Sequence, residues 1–259
     1  MSSSPNEMTT FDVSAYPQLP RGRGLFVTGT DTDIGKTVVA GGIARALRQG
    51  GEGVEVYKPV ASGCRLNPRG GLISSDAEFL AACGDSTRPL SDITPVRFRE
   101  ALAPNVAAAR ADKTVDLQAI FDGWSRLTES GLPIIVEGVG GLLCPLSDDF
   151  WVIHLAKMLQ LPLVVVVRPD LGTINHTLLT LHAARSAGLT VAGVVINRWP
   201  ADPDPIDTAI KTNPQQLADR GDVPILARVP NDADTDVDKA TLGPETQLSL
   251  KQVNWLELM

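Results

Sequence analysis

The chain contains 259 residues, of which 43% are apolar, and it carries a formal net charge of −7 at pH 7. This length and apolar fraction predict one large domain with an extensive buried core. The acidic balance argues against non-specific binding to nucleic acid or to an anionic membrane, because both require a basic surface. The most apolar run, residues 161–167, is far too short to span a bilayer.

The cysteines and histidines are few and scattered. Three cysteines, an odd number without paired spacing, argue against a disulfide framework or a zinc site, and the three histidines show no ligand spacing. Residues 1–22 are rich in Ser, Thr and Pro, and they resemble neither a signal peptide nor an Arg-rich transit peptide. We therefore expect a cytoplasmic protein with a flexible extension over residues 1–22 and a single domain over residues 23–259.

The first predicted element is an apolar strand, residues 25–28, that runs into a glycine-flanked loop and then a helix from Lys36 to about Gln49. Five residues separate Gly29 from Gly35, one more than in the usual phosphate-binding loop. In such a loop the backbone N–H groups and the helix N-terminus face the phosphates, Lys36 reaches the terminal phosphates, and the Thr37 hydroxyl can bind Mg²⁺. An ordinary strand-to-helix turn is the alternative, but the strand before and the helix after favour a nucleotide site.

The next short strand ends at Lys58, within the phrase Lys-Pro-Val-Ala-Ser-Gly of residues 58–63. Ligands of α/β proteins bind at the carboxyl ends of the strands, so Lys58 and Ser62 would lie beside the phosphate loop if the two strands are neighbours. A surface lysine at a turn is the alternative. Ser75 and Glu78 then fit a capping box, which makes Asp76 either a first-turn acid or a Mg²⁺ ligand.

Residues 133–137 form an apolar strand that ends in Glu137 and a glycine-rich turn, Gly138-Val139-Gly140-Gly141. Phosphate-loop proteins place a second Mg²⁺-facing carboxylate at this position. A buried carboxylate without a partner would be costly, so a role for Glu137 is favoured. Residues 147–149 are predicted to cap the following helix.

Three more apolar strands, residues 163–167, 191–196 and 224–227, alternate with helices at about 174–187 and 206–219. Continuous Val and Ile runs between helices predict a mainly parallel sheet covered by helices on both faces. Asn197 is expected to end one strand and Pro230-Asn231 to follow another, so both would lie at the ligand-binding edge. Residues 171–176 start a helix, either as a plain sheet-covering element or as a carboxylate site.

Together, the long phosphate loop, the Lys58–Gly63 phrase, Ser75-Asp76, the turn after Glu137, the run Leu-Gly-Thr-Ile-Asn-His at 171–176 and Asn197 resemble the dethiobiotin synthetases over about residues 24–232. The resemblance implies a single-domain P-loop NTPase fold. It also implies a homodimeric, ATP- and Mg²⁺-dependent ligase that converts 7,8-diaminopelargonic acid and CO₂ into dethiobiotin, ADP and phosphate.

The resemblance assigns roles by position. It places Lys36, Lys58 and Ser62 at the reacting centre, and Thr37, Asp76 and Glu137 at the metal. The implied ATP contacts are Thr32, Asp33, Ile34, Gly35, Lys36, Thr37, Asp76, Glu137, Gly138, Val139, Gly140, Asn197, Arg198, Pro230 and Asn231. The implied substrate contacts are Ser62, Leu171, Gly172 and Asn175, with the helix start at 171–176 gripping the substrate carboxylate in the partner subunit's site.

Two departures and two rivals qualify the resemblance. Asp33 stands where several relatives have Glu, and the tyrosines at positions 16 and 57 cannot supply the substrate contact that some members take from a helix after Asn197. A nucleotide switch of the partition or septum-placing type would have a second lysine where Thr30 stands. A glutamine-dependent amide synthetase of cobalamin assembly would need a Cys–His glutaminase region, for which the residues after 232 are too few.

Overall fold

A computed structural model describes residues 11–201 and 207–259 of the chain. The strands of these residues are β1 (Gly24–Gly29), β2 (Glu55–Tyr57), β3 (Val60–Ala61), β4 (Arg65–Leu66), β5 (Leu72–Ile73), β6 (Val96–Arg97), β7 (Ile134–Glu137), β8 (Leu163–Val167), β9 (Val191–Trp199) and β10 (Ile225–Pro230). The helices are α1 (Lys36–Gln49), α2 (Ser75–Gly84), α3 (Leu90–Ile93), α4 (Pro104–Arg110), α5 (Leu117–Thr128), α6 (Val152–Leu159), α7 (Thr173–Ser186), α8 (Thr208–Gly221) and α9 (Pro244–Lys251), followed by a 3₁₀ helix (Trp255–Leu258).

The main sheet has six parallel strands in the order β10-β9-β8-β1-β7-β2. The predicted α/β fold with a parallel sheet is therefore confirmed. Strand β1 lies between β8 and β7, with Val27 opposite Glu137 and Gly29 opposite Val166. Because β2 pairs with the other side of β7, the residues that follow β1, β2 and β7 meet at one edge of the sheet.

Both faces of the sheet are covered, as the continuous apolar strands require. Strand β1 is buried at every position, and its side chains alternate between two cores. Phe26 packs into the core that contains Trp124 of α5, whereas Leu25 and Val27 pack into the core that contains Ile43 of α1. None of the helices in the described residues is long and apolar enough to cross a membrane.

Two strands extend further than predicted. Strand β9 continues to Trp199, so Asn197 lies inside the strand rather than at its end, and β10 continues to Pro230. The two strands stay paired beyond their apolar runs: Pro230 is in register with Trp199, and the Asn231 N–H donates to the Trp199 carbonyl at 3.0 Å. The predicted strands were too short because their ends were set at the last residue of each apolar run.

The two predicted helix caps are wrong. The N-cap of α2 is Ser74, whose hydroxyl accepts from the Ala77 N–H at 3.3 Å, so Ser75 and Glu78 form no capping box. Glu78 instead pairs with Arg65. Residues 147–149 do not cap α6, whose N-cap is Trp151; the ring Nδ1 of His154 accepts from the Trp151 N–H at 2.9 Å.

The described part of the amino-terminal segment packs on the domain. The Tyr16 ring lies 4.7 Å from that of Phe150 between centroids, and the Trp124 indole N–H donates to the Pro20 carbonyl at 2.9 Å. Lys157 donates to the Phe11 carbonyl at 2.8 Å. The predicted flexible extension is therefore wrong for residues 11–22, and its remainder, residues 1–10, lies outside the described residues.

Candidate active site

The phosphate loop joins β1 to α1, and its last residue, Gly35, is the N-cap of α1 with φ +89°. A Cβ at Gly35 would lie 1.9 Å from Nδ2 of Asn197, so only glycine fits there. Buried Asn197 donates from Nδ2 to the Ile34 carbonyl at 2.8 Å and so holds the end of the loop. Gly35 provides no side-chain cap, which leaves the first N–H groups of α1 available to an anion.

The first side chain of the helix, Lys36, folds back over the loop. It is 6% exposed, and its Nζ donates to the Asp31 carbonyl at 2.7 Å. Burial and then the charge of Lys58 lower the pKa of Lys36 to about 8, against the opposing effect of the nearby carboxylates. The Asp31 side chain pairs with Arg168, which follows β8, at 3.1 Å. The sequence analysis assigned no role to Asp31 or Arg168.

Thr37, Asp76 and Glu137 come together from three separate elements: α1, the first turn of α2 and the end of β7. The Thr37 hydroxyl lies 2.8 Å from Oε1 of Glu137 and 3.1 Å from Oδ1 of Asp76, within hydrogen-bonding distance of both. A hydroxyl and two carboxylates form the all-oxygen donor set that a hard cation such as Mg²⁺ prefers.

Lys58, immediately after β2, completes this group. Its Nζ lies 2.5 Å from Oε1 of Glu137 and 3.0 Å from Oδ2 of Asp76, and it donates to the Gly138 carbonyl at 3.2 Å. The side chain is only 5% exposed, so Lys58 is not a surface residue at a turn. Burial lowers the pKa of Lys58, but the two carboxylates outweigh burial and hold the ammonium charged.

The two carboxylates differ in environment. Burial raises the pKa of Glu137, whereas the positive charge of Lys58 outweighs burial at Asp76 and lowers the pKa of that carboxyl. Glu137 is 1% exposed, and its Oε2 has no hydrogen-bond partner among the described residues. A buried acceptor without a partner is costly, which is consistent with a ligand that belongs at this position.

These residues fit Mg²⁺ held jointly by protein and phosphate better than they fit a metal whose ligands all come from the protein. No group of three or more His, Cys, Asp or Glu residues that could hold a metal occurs within residues 11–201 and 207–259. Mg²⁺ is commonly held by one or two carboxylates together with substrate phosphates, so two carboxylates and one hydroxyl are sufficient.

The group lies on the wall of a cleft of about 610 Å³. The predicted site residues that line this cleft are Thr32, Asp33, Gly35, Lys36, Thr37, Lys58, Ser62, Asp76, Glu137, Val139, Gly140 and Arg198. The cleft is also lined by residues that were not predicted, namely Val38, residues 101–104, Cys144 and Val237. The run Leu-Ala-Pro-Asn at residues 102–105, which leads into α4, was the only sequence signal for the segment 101–104, because loops that reach a site from a distance leave little local pattern.

Comparisons with known proteins agree with this arrangement. Residues 23–239 match the AAA domain family. The ATP-dependent dethiobiotin synthetase of Bacillus subtilis (strain 168) is 44% identical over 209 residues, which cover 80% of this chain and 87% of the relative. That of Thermodesulfovibrio yellowstonii is 39% identical over 223 residues, which cover 83% of this chain and 92% of the relative.

The chain belongs to the dethiobiotin synthetase family. Solved structures of more distant proteins share its fold. A ParA family ATPase from Chlorobium tepidum TLS has a TM-score of 0.54 at 15% identity, covering 91% of this chain and 98% of that chain. The MinC:MinD cell division protein complex of Aquifex aeolicus gives a TM-score of 0.56 at 13% identity, covering 89% of this chain and 93% of that chain. At these identities the likeness concerns the fold alone.

Several positions implied by the resemblance to dethiobiotin synthetases do not line the cleft. Ile34 of the loop and Asn197 of β9 are buried, and Gly138 contributes its carbonyl to Lys58. The others are Pro230, the last residue of β10, Asn231, which follows it, and Leu171, Gly172 and Asn175 at the start of α7. Leu171 is 89% exposed, and Gly172 is the N-cap of α7 with φ +95°. The segment at α7 is thus outside the cleft of its own chain.

Proposed function

We propose that this chain is an ATP- and Mg²⁺-dependent ligase that closes the ureido ring of dethiobiotin from 7,8-diaminopelargonic acid and CO₂, with release of ADP and phosphate. Membership of the dethiobiotin synthetase family supports the reaction class. The observation that carries the proposal is the convergence of two lysines with Thr37, Asp76 and Glu137 on one wall of the cleft.

The phosphates of ATP would bind at the N-terminus of α1, where uncapped N–H groups favour negative charge. Lys36 would exchange its bond to the Asp31 carbonyl for the terminal phosphates. Thr32 and Asp33 of the loop and Arg198 of β9 line the cleft and are the proposed ribose and base contacts. We assign the purine to Asn197, Pro230 and Asn231, which lie outside the cleft toward the ends of β9 and β10. The Asn197 amide has two N–H donors, of which one is bound to the Ile34 carbonyl. Because Asn197 is buried, a base that binds the second donor would have to shift the residues that cover it.

Thr37, Asp76 and Glu137 would hold Mg²⁺, which when bound neutralises the charge of the phosphates. In the proposed reaction, one amine of the substrate adds to CO₂ and loses a proton, giving a carbamate. A carbamate oxygen then attacks the γ-phosphorus while the bond to the ADP oxygen breaks. The second amine attacks the carbonyl carbon of the resulting mixed anhydride, loses a proton and expels phosphate.

The protein groups promote these steps mainly by position and charge. Lys36 and Lys58 can stabilise the negative charge that spreads over the transferring phosphoryl group. Ser62 lines the same cleft as Lys58, which supports its proposed role of holding the reacting amine or the carbamate. Holding the carbamate in line with the phosphorus replaces a collision by an intramolecular approach, which can account for much of the rate.

We further propose that the chain acts as a homodimer. Leu171, Gly172 and Asn175 would bind the carboxylate tail of the substrate in the partner subunit's site, because the start of α7 offers free N–H groups but lies outside its own cleft. Large exposed apolar side chains at Leu171 and Leu179, 89% and 60% exposed, support an interface along α7.

The reaction class is tested by phosphate release from ATP and Mg²⁺, measured with and without 7,8-diaminopelargonic acid and bicarbonate. The ligase should release phosphate in proportion to dethiobiotin formed, and only when both substrates are present. A nucleotide switch, which shares the fold, would hydrolyse ATP regardless of them. Release that does not respond to the diamine would overturn the proposal.

ATP binding at pH 8 is expected to take up about half a proton, because Lys36 has a pKa of about 8 in the free protein and bound phosphate favours its charged form. The affinity should accordingly fall as the pH rises above 8. Calorimetric titration in buffers of different ionisation enthalpy measures the uptake. Lys36→Met should bind weakly and take up no proton; an affinity independent of pH between about 7 and 9 would contradict the assignment.

A further inference from the structure

The ammonium of Lys58 occupies the oxygens that the proposed function gives to Mg²⁺. Its Nζ contacts Oε1 of Glu137 and Oδ2 of Asp76, and the same Oε1 also contacts the Thr37 hydroxyl. Lys58 therefore sits inside the donor set rather than beside it. The side chains of this group are almost completely shielded from water at Lys58 and Glu137, so their charges are poorly screened.

We infer that Lys58 is the resident counter-ion of the metal site in the nucleotide-free protein, and that a divalent cation and the Lys58 ammonium occupy the site in turn. This inference rests on the proposed function for the identity of the cation. A divalent cation that bound Asp76 and Glu137 would meet a positive charge on the same oxygens, and the repulsion between them is strong at such distances in a buried site.

A released Lys58 would remain in the cleft. Lys58 and Lys36 line the same cleft, so the ammonium of Lys58, once freed from the carboxylates, would be available to the phosphates that the proposed function assigns to it. Arrival of the metal with the nucleotide thus releases the second lysine at the moment its charge is required. In the absence of nucleotide, Lys58 keeps the two carboxylates paired and opposes binding of a free metal ion.

The unpartnered Oε2 of Glu137 supports this view. Oε1 receives both the ammonium and the hydroxyl, while Oε2 is buried and has no hydrogen-bond partner among the residues that the structure describes. Lys58 therefore satisfies only one of the two carboxylate oxygens of Glu137. A counter-ion that leaves the other, buried oxygen unpaired is replaceable by a ligand that also binds that oxygen.

The test is a titration of Mn²⁺, a spectroscopically visible substitute for Mg²⁺, into the nucleotide-free protein, followed by electron paramagnetic resonance and by calorimetry. Lys58→Met should bind Mn²⁺ about tenfold or more tightly than the wild type, since it removes the competing charge from the ligand oxygens. Neither ATP nor the diamine is used, so the result is independent of whether the proposed reaction is correct.

Lys36→Met is the matched control. It removes the same charge from the same cleft, but its Nζ donates to a backbone carbonyl, that of Asp31, rather than to the carboxylates. It should change Mn²⁺ affinity about threefold at most, the effect of a more distant charge. Equal increases of Mn²⁺ affinity in the two variants would mean that only the overall charge of the cleft matters, and would overturn the inference. No increase in Lys58→Met would also overturn it.

Loss of Lys58 can destabilise the fold, since it leaves two carboxylates facing each other. Thermal unfolding therefore accompanies each titration. If Lys58→Met does not fold, the comparison is made between Lys58→Gln and Lys36→Gln. Lys58→Gln keeps a neutral hydrogen-bond donor beside the carboxylates. The inference requires the same tightening in that pair, and its absence there also overturns it.

Discussion

Replacing Lys58 with alanine is expected to lower turnover on the order of 10²-fold or more, with a much smaller loss of ATP affinity. In the free protein the ammonium is bound to Glu137 and Asp76, so it contributes little to the initial capture of nucleotide. Its charge is needed most when negative charge develops on the transferring phosphoryl group. An interaction that forms mainly in the transition state affects kcat rather than binding.

The measurement is the steady-state rate of dethiobiotin formation together with the Kd of ATP·Mg²⁺ from calorimetry. Lys58→Arg should restore little activity, because a planar guanidinium does not replace a compact ammonium in contact with two carboxylates. Breaking the buried ion pair is also expected to cost about 3–5 kcal/mol of unfolding free energy, so folding must be verified at the assay temperature. Full turnover with weakened ATP binding would show that Lys58 binds the ground state instead.

The parts of this fold that could be predicted are those that depend on residues close together in the sequence. Strand β8 is an unbroken apolar run, buried at every position, and a run of that kind requires a covered sheet on both sides. Gly35 followed by Lys36 predicts both the loop and the first residue of α1, because the glycine conformation and the helix start are set by neighbouring residues.

The elements that could not be predicted depend on partners distant in sequence. The contact of Lys58 with Glu137 exists because β2 and β7 are adjacent, and the order of strands is not visible in either segment. Asn197 was expected at a strand end, yet β10 extends β9 to Trp199 by pairing with it. Residues 11–22 show no helix or strand pattern, but they pack on the domain through aromatic side chains such as Tyr16 on Phe150. Tertiary contacts outweigh local composition in each case.

The predicted capping of α2 shows the same limit at the scale of one residue. Ser74 and Ser75 are chemically equivalent, and only the backbone, extended at Ser74, decides which hydroxyl reaches the first turn. The shift matters for the site, because it sets the position of Asp76 in the helix. Asp76 then lies where its carboxylate contacts both Thr37 and Lys58.

Two inactive variants are expected to restore activity when their subunits exchange, if the site is shared between subunits as proposed. One is Lys58→Ala. The other is Leu171→Glu, which places a negative charge at the start of α7, where the substrate carboxylate would bind. Leu171 is the better position for this block than Gly172, because Leu171 is 89% exposed whereas a side chain at Gly172 would be strained at φ +95°.

In a mixed dimer, one cleft combines the intact Lys58 of one subunit with the intact helix start of the other, and the second cleft carries both defects. Random exchange makes half of the dimers mixed, so the mixture should reach about a quarter of the wild-type rate. Activity is measured after native mass spectrometry has verified that mixed dimers have formed.

A control pair separates shared sites from any general effect of mixing. Lys58→Ala and Lys36→Ala remove groups from the same cleft of the same subunit, so their mixture should stay inactive however completely the subunits exchange. Recovery in this control would show that mixing restores activity for a reason other than a shared site. No recovery in the first mixture, once exchange is verified, would mean that α7 serves its own subunit's architecture. Recovery confined to the first mixture requires that Leu171 and Lys58 act in one cleft from two chains, which no arrangement within a single subunit can produce.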